Sequence, residues 1–334
     1  MSTVVRPLTE SDLPEARRIV GAAFGTFLGA PDPETFWADR DYVFGRFGAE
    51  HVASYGAELD GDLVGSNFAT KWGSVGFFGP LTIRPDRQAR GIGKSLVAAV
   101  SDRFDAWGTR HAGLFTFAHS ALHLALYQKF GFYARFLTAI MTAPARPGTD
   151  DMPSSRYSGL PQSERPAVES ACRELTEELY GGLDLSGEIR TVAARGLGDT
   201  LLLWDGAGGA SRLAGFAICH WGPASEAGEG CCFVKFGAAR TGPGGEDRFA
   251  RLLEAVGALA GAVGMPNVLA GVNLAREEAF RHMVARGFRT AIQGVAMHRP
   301  NEPGYSRTGC TSSTTGVRRP TRAALPNEPG DTRT

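Results

Sequence analysis

The stretch RPDRQARGIGKSL, from Arg84 to Leu96, sets Gly91 and Gly93 between the cations Arg90 and Lys94. Glycines that let the backbone approach closely, followed by the unpaired N–H groups of a helix start, suit a bound phosphate. A nucleotide P-loop needs a glycine where Gln88 stands. The dinucleotide fingerprint needs a third glycine where Leu96 stands. Two readings stay open: a different phosphate-bearing ligand, or an ordinary tight turn between strand and helix.

The elements that position this turn follow from periodicity. VVRPLTESDLPEARRIVGAAF reads as a short strand, then a helix capped by Thr9 or Ser11 with Leu13, Ala16, Ile19, Val20 and Phe24 as its apolar stripe. A second helix is expected in DPETFWADRDYVFGRF, opening at Pro33 and Glu34. VASYGAELDGDLVGSNFATKW alternates about Asp60-Gly61, a hairpin signal. SVGFFGPLTIRP is a third strand, and its Gly79-Pro80 break predicts a bulge or splay that frees backbone groups from the ladder. The glycine turn opens a helix from about Gly91 to Trp107, with Leu96, Val100 and Phe104 inward. HAGLFTFAH is a strand, SALHLALYQKF a short helix stopped by Gly131, and FYARFLTAIMTA a last strand. The class is α/β, an α+β mixed sheet with helices on both faces.

The second half repeats the plan. A helix in RPAVESACRELTEELY precedes a hairpin in DTLLLWDGAGGASRLAGFAICHW, a strand in GCCFVKFGAAR, a helix in GEDRFARLLEAVGALAGAVG and a strand in NVLAGVN. Gly131-Phe132 then answers to Gly287-Phe288, which points to an internal duplication. The expected organisation is a first domain over 1–143, a polar, proline-broken linker over 144–156, a second domain over 157–299 and a disordered tail over 300–334.

Composition bounds the partners. The chain has 334 residues, with Lys+Arg and Asp+Glu both 35, so no net charge points to nucleic acid or an anionic membrane. MSTVVRPLTESDL is unlike a signal peptide, and no apolar run reaches the length of a membrane span. The five cysteines, Cys172, Cys219, Cys231, Cys232 and Cys310, lack metal-type spacing and suit reduced thiols. A soluble cytoplasmic protein without metal is the expectation.

The strand Leu81-Thr82-Ile83-Arg84-Pro85 running into Gln88-Ala89-Arg90-Gly91-Ile92-Gly93 resembles motif A of the GNAT superfamily of N-acyltransferases. The resemblance covers about Val4 to Thr142, with a degenerate echo from about Arg156 to Arg299. It implies tandem acyl-coenzyme A N-acyltransferase folds and acetyl-coenzyme A as co-substrate, its pyrophosphate held at Gln88, Ala89, Arg90, Gly91, Ile92, Gly93, Lys94 and Ser95. Backbone N–H groups around Leu81, Thr82 and Ile83 would polarise the acyl carbonyl. The family's Asn-x-x-Ala-x-x-x-Tyr pattern stands here as Ser120, His123 and Tyr127, so two of its positions depart. By resemblance Tyr127 protonates the departing thiolate and Ser120 contacts the pantetheine arm. A packing tyrosine is the alternative. His119, at a strand end, is the candidate base, with a structural histidine as its alternative.

In the second half Met283 answers to Tyr127, and Glu246 and Asp247 stand where phosphate would bind. That half is expected to be non-catalytic. The acceptor is expected to be a small-molecule amine, with a protein amine as the other candidate. Asp32, Glu34, Phe36, Trp37, Asp39, Tyr42 and Trp72 would suit its pocket. A solvated helix surface explains the acids equally well, so none is assigned as a site. A non-catalytic acyl-coenzyme A sensor or a protein-interaction module is the alternative function.

Overall fold

The computed structural model describes residues 3–146, 154–206, 212–306 and 312–314. Strand β1 (Val4–Pro7) and helix α1 (Leu13–Leu28) lead into β2 (Val52–Leu59), β3 (Asp62–Trp72), β4 (Val75–Phe78) and the two-residue β5 (Thr82–Ile83). Then come α2 (Ile92–Ala106), β6 (His111–Thr116), α3 (Ala121–Gln128) and β7 (Tyr133–Pro144). The second half runs β8 (Ser154–Arg156), α4 (Arg165–Leu179), α5 (Ser186–Ala194), β9 (Gly198–Asp205), β10 (Arg212–Gly222), β11 (Gly228–Ala239), α6 (Gly245–Ala262), β12 (Asn267–Asn273), α7 (Glu277–Ala285) and β13 (Arg289–Arg299). A last strand, β14 (Ser312–Thr314), follows. The linker expectation falls in part on residues 147–153, and the tail expectation largely on 307–311 and 315–334, which lie outside the described residues, as does Cys310.

All these strands form one mixed sheet, ordered β1-β2-β3-β4-β6-β13-β7-β12-β11-β10-β9-β8, with β5 on β3 and β14 on β11. β13 therefore lies between β6 and β7, and β7 between β13 and β12. Each half lends its last strand to the other. The parallel pairs are β4–β6 and β11–β12. Helices cover both faces, because successive side chains on a strand point opposite ways. Phe68 of β3 packs in the core under α1, while its neighbour Ala69 packs with Val97, Val100 and Phe104 of α2. Ala217 of β10 faces α6, and its neighbour Ile218 faces α4 and α5.

The two helix–glycine endings are alike in detail. Phe132 N–H bonds Tyr127 O at 3.2 Å, and Phe288 N–H bonds Met283 O at 3.1 Å, with Gly131 and Gly287 at φ of 77° and 86°. A left-handed residue closes each helix, which glycine supplies without steric cost.

The helix expected over 32–47 does not form. That segment is a chain of turns that buries Phe36, Trp37, Tyr42 and Val43 against α1, and Asp41 accepts the N–H groups of Val43 and Phe44. Its backbone runs so close to α1 that a Cβ on Gly21 would stand 2.7 Å from Phe36 O, and one on Gly25 2.6 Å from Pro33 Cα. Burial of these aromatic side chains in a tight crossing outweighs the local helical pattern.

Candidate active site

Strands β4 and β6 pair from Val75↔His111 to Phe77↔Gly113 and then part. Beyond Phe78 the first chain turns away, and Thr82 and Ile83 pair instead with Ser66 and Gly65 of β3. Into this gap opens a cavity of about 500 Å³. Gly79, Pro80 and Leu81 line one wall, Leu114 to Phe117 another, and Phe24 and Phe27 of α1 a third.

At one end stands the start of α2. Ala89 and Gly91 have φ of 62° and 81°, so the chain coils tightly there, with Gly91 as the residue before the helix. The first helical bond is Ser95 N–H to Gly91 O at 3.2 Å, which leaves the N–H groups of Ile92, Gly93 and Lys94 ahead of the ladder. A Cβ on Gly91 would meet nothing within 4 Å, whereas one on Gly93 would come within 3.0 Å of Ile83 Cδ1. Gly91 therefore keeps the mouth open, and Gly93 lets α2 seat on β5.

Of the sequence candidates, Leu81, Thr82, Ile83, Gln88, Ala89, Gly91, Gly93, Lys94, Ser120 and Tyr127 line the cavity. Arg90, Ile92, Ser95 and His119 do not line it: Arg90 is exposed and Ile92 is buried in the core with Leu96. Thr82 is buried, with its hydroxyl 3.2 Å from that of Ser66. Ser120 caps α3, accepting His123 N–H at 3.4 Å.

Tyr127, on the inner face of α3, is 7% exposed and makes edge contact with Phe78 at 5.7 Å. Burial pushes its phenol above the ordinary value, so it stays protonated at neutral pH. His123 lies one turn before it, with ring centroids 6.5 Å apart. Burial, then the nearby His119, lowers the His123 pKa. His119 itself is exposed at the rim, its ring stacked on Phe27 at 5.7 Å.

At the other end the wall comes from both halves. Arg46 Nε lies 2.9 Å from Glu226 Oε1 and Arg46 Nη1 donates to Gly79 O at 2.5 Å. Lys235 Nζ meets Glu226 Oε1 at 2.8 Å and Glu188 Oε1 at 2.9 Å. Glu188 also meets His51 Nε2 at 3.0 Å and takes the Trp72 indole N–H at 3.2 Å. Burial opposes the Glu226 charge, but Arg46 and Lys235 overcome it and hold its pKa at about 2. Sequence reasoning missed Arg46, Glu226 and Phe233, the last also on the cavity wall. No local signal marks them, because they meet only through the fold.

The acids Asp32, Glu34 and Asp39 lie outside the cavity, as the solvated-surface alternative has it. Of the residues expected to suit the acceptor pocket only Tyr42 lines the cavity. Asp32 and Glu34 are exposed, Glu34 binding Arg18 at 2.8 Å, and Asp39 pairs with Arg40 at 2.7 Å. Phe36 and Trp37 are core, and Trp72 packs with the second half.

The counterpart gap in the second half is filled. β11 and β12 pair from Cys231↔Asn267 to Val234↔Ala270, and beyond that point β14 pairs with Phe236–Ala238 of β11 while also lying against β12. α6 opens with Glu246 and Asp247, and Met283 is fully buried. Among the described residues no group of His, Cys, Asp and Glu is arranged to hold a metal, and no helix is long and apolar enough to cross a membrane.

Residues 16–132 match the family model described as Acetyltransferase (GNAT) family. A mycothiol acetyltransferase of Streptomyces coelicolor is 27% identical over 147 residues, covering 38% of this chain and 48% of that protein. The chain thus spans about half the length of that curated relative. A Pyrococcus horikoshii protein named as a candidate acetyltransferase superposes with a TM-score of 0.65 over 94% of each chain, at 13% identity. A tandem GNAT protein from the clavulanic acid biosynthesis pathway gives a TM-score of 0.56 over 89% of this chain and 98% of that one, also at 13% identity. At such identities the two structures speak to the fold, which is that of tandem acyltransferases of this kind.

Proposed function

We propose, from the match of residues 16–132 to the acetyltransferase (GNAT) family model, that the first half of the chain transfers an acetyl group from acetyl-coenzyme A to a primary amine of a small molecule. One observation carries the reading: a single cavity runs from the free N–H groups at Gly91–Lys94, through the parted strands β4 and β6, to Tyr127.

The residues fit coenzyme A. The open mouth at Gly91 admits a pyrophosphate to the α2 start, with Lys94 beside it and Arg90 on the adjacent surface. The thioester supplies an activated acyl group. The pantetheine arm carries amides, and the backbone at Pro80 and Leu81, off the strand ladder, offers them partners. In this reading Leu81 N–H polarises the acyl carbonyl.

The exchange balances simply. The amine nitrogen forms a bond to the acyl carbon, the carbon–sulfur bond breaks, the nitrogen loses one proton and the sulfur gains one. Tyr127 gives that proton to sulfur; its buried, protonated phenol is in the required form. His123, with His119 behind it at the rim, takes the amine's proton toward solvent. The second half serves as scaffold, since its own gap is filled by β14 and its helix start is acidic.

The test is thiol release from acetyl-coenzyme A against a panel of amines, with the Gly91→Glu variant as control. Turnover by the parent protein and none by the variant supports the reading. Acetyl-coenzyme A binding without turnover of any amine would leave a sensor.

A further inference from the structure

We propose that the acceptor is a monoamine carried on an apolar, aromatic-sized body, and that the second half reads it, Glu226 receiving the amine N–H and Phe233 packing on the body. This rests on the acyl-transfer reading and adds the substrate class. The charges on the cavity wall decide it. Lys94 and Lys129 stand near the phosphate end, beside the start of α2 and the end of α3, and the far end holds Arg46 and Glu226. Among the described residues that line the cavity, Glu226 is the sole carboxylate.

That carboxylate is already matched in charge. Arg46 and Lys235 both bind its Oε1, which leaves Oε2 as the atom to receive an N–H. A polyamine or an aminoglycoside would bring several ammonium groups out of water with no further anion to meet them, an uncompensated desolvation. A single amine needs only one acceptor atom. The two neighbouring cations also favour its uncharged form, which is the nucleophile.

The rest of the far wall is ring surface. Phe24 and Phe27 come from α1, Phe117 follows β6, and Phe233 comes from β11. Phe27 and Phe117 already lie 5.1 Å apart, centroid to centroid, as a pair of rings on which a third can pack. A body of that kind gains by burial there, and a small polar amine does not.

The experiment compares kcat/KM for 2-phenylethylamine, ethylamine and spermidine on the full chain, with calorimetric binding of acetyl-coenzyme A and of 2-phenylethylamine measured alongside. 2-Phenylethylamine is expected to exceed both others by about tenfold or more. Glu226→Gln should raise KM for 2-phenylethylamine about tenfold and weaken its binding, while acetyl-coenzyme A binds as before. Phe233→Leu, which keeps an apolar side chain in the core and removes only the ring, should lower kcat/KM for 2-phenylethylamine more than for ethylamine. Spermidine as the best acceptor, or equal losses for both monoamines in Phe233→Leu, overturns the proposal while acyl transfer stands. No acetylation of any amine, with acetyl-coenzyme A still bound, overturns both.

Discussion

Arg46 Nε stands 2.9 Å from Glu226 Oε1, an ion pair between residues 180 positions apart. The same guanidinium donates to Gly79 O, where β4 leaves its partner. The second half thereby holds the parted strand of the first.

Breaking this pair should cost stability. Arg46→Met leaves Glu226 buried with Lys235 alone, and removal of one partner of a buried pair costs about 3–5 kcal/mol. Urea denaturation of Arg46→Met and of the double variant Arg46→Met/Glu226→Gln measures it. The double variant should recover part of the loss; equal or greater loss there would place the stabilisation elsewhere.

Tyr127→Phe removes a hydroxyl and keeps the ring against Phe78. Turnover should fall by about 10²–10⁴-fold while the melting temperature hardly moves. Full activity in the variant would make Tyr127 a packing residue.

One acetyl-coenzyme A should bind per chain, in the first half. Gly91→Glu puts a carboxylate at the mouth and a side chain at a φ of 81°, so calorimetry should register one site in the parent protein and none in the variant. Two sites in the parent, or one surviving in the variant, contradicts the assignment.

A fragment of residues 1–146 should not fold by itself. It lacks β13, the strand between β6 and β7, and so leaves two strand edges open in mid-sheet. Its unfolding should show no cooperative transition, and co-expression with residues 154–334 should restore one. A cooperatively folding fragment would mean that β6 and β7 can pair without the exchange.

Acid should loosen the structure before its carboxylates titrate. His220 is buried, and neither ring nitrogen has a hydrogen-bond partner among the described residues. Burial, then Lys235, holds its pKa at about 4, against an ordinary 6.5. Below pH 6.5 the unfolded chain takes a proton that the folded chain refuses, so stability is full above that pH and is lost as pH falls toward 4. That gap is worth up to about 3 kcal/mol. His111, held at about 3 by burial and then by His298, adds loss of the same sign. Melting temperature against pH, in the parent and in His220→Gln, checks this; an unchanged slope in the variant would assign the loss to other groups.

The sequence by itself determined what depends on near neighbours along the chain. The hairpin at Asp60-Gly61, the glycine turn before α2, the break at Gly79-Pro80 and the seat of Tyr127 on α3 all follow from local backbone preference and periodicity. These signals reach only a few residues, and so does the physics behind them. Tertiary structure decided the rest. It exchanged β7 and β13 between the halves, turned 32–47 from a helix into buried turns, and put His123 rather than His119 on the cavity wall. It also brought Glu226 to Arg46. A buried carboxylate is tolerated only where cations meet it, and the cations that meet this one, Arg46 and Lys235, come from different halves. No spacing in the chain encodes that meeting, because the packing of the two halves alone creates it.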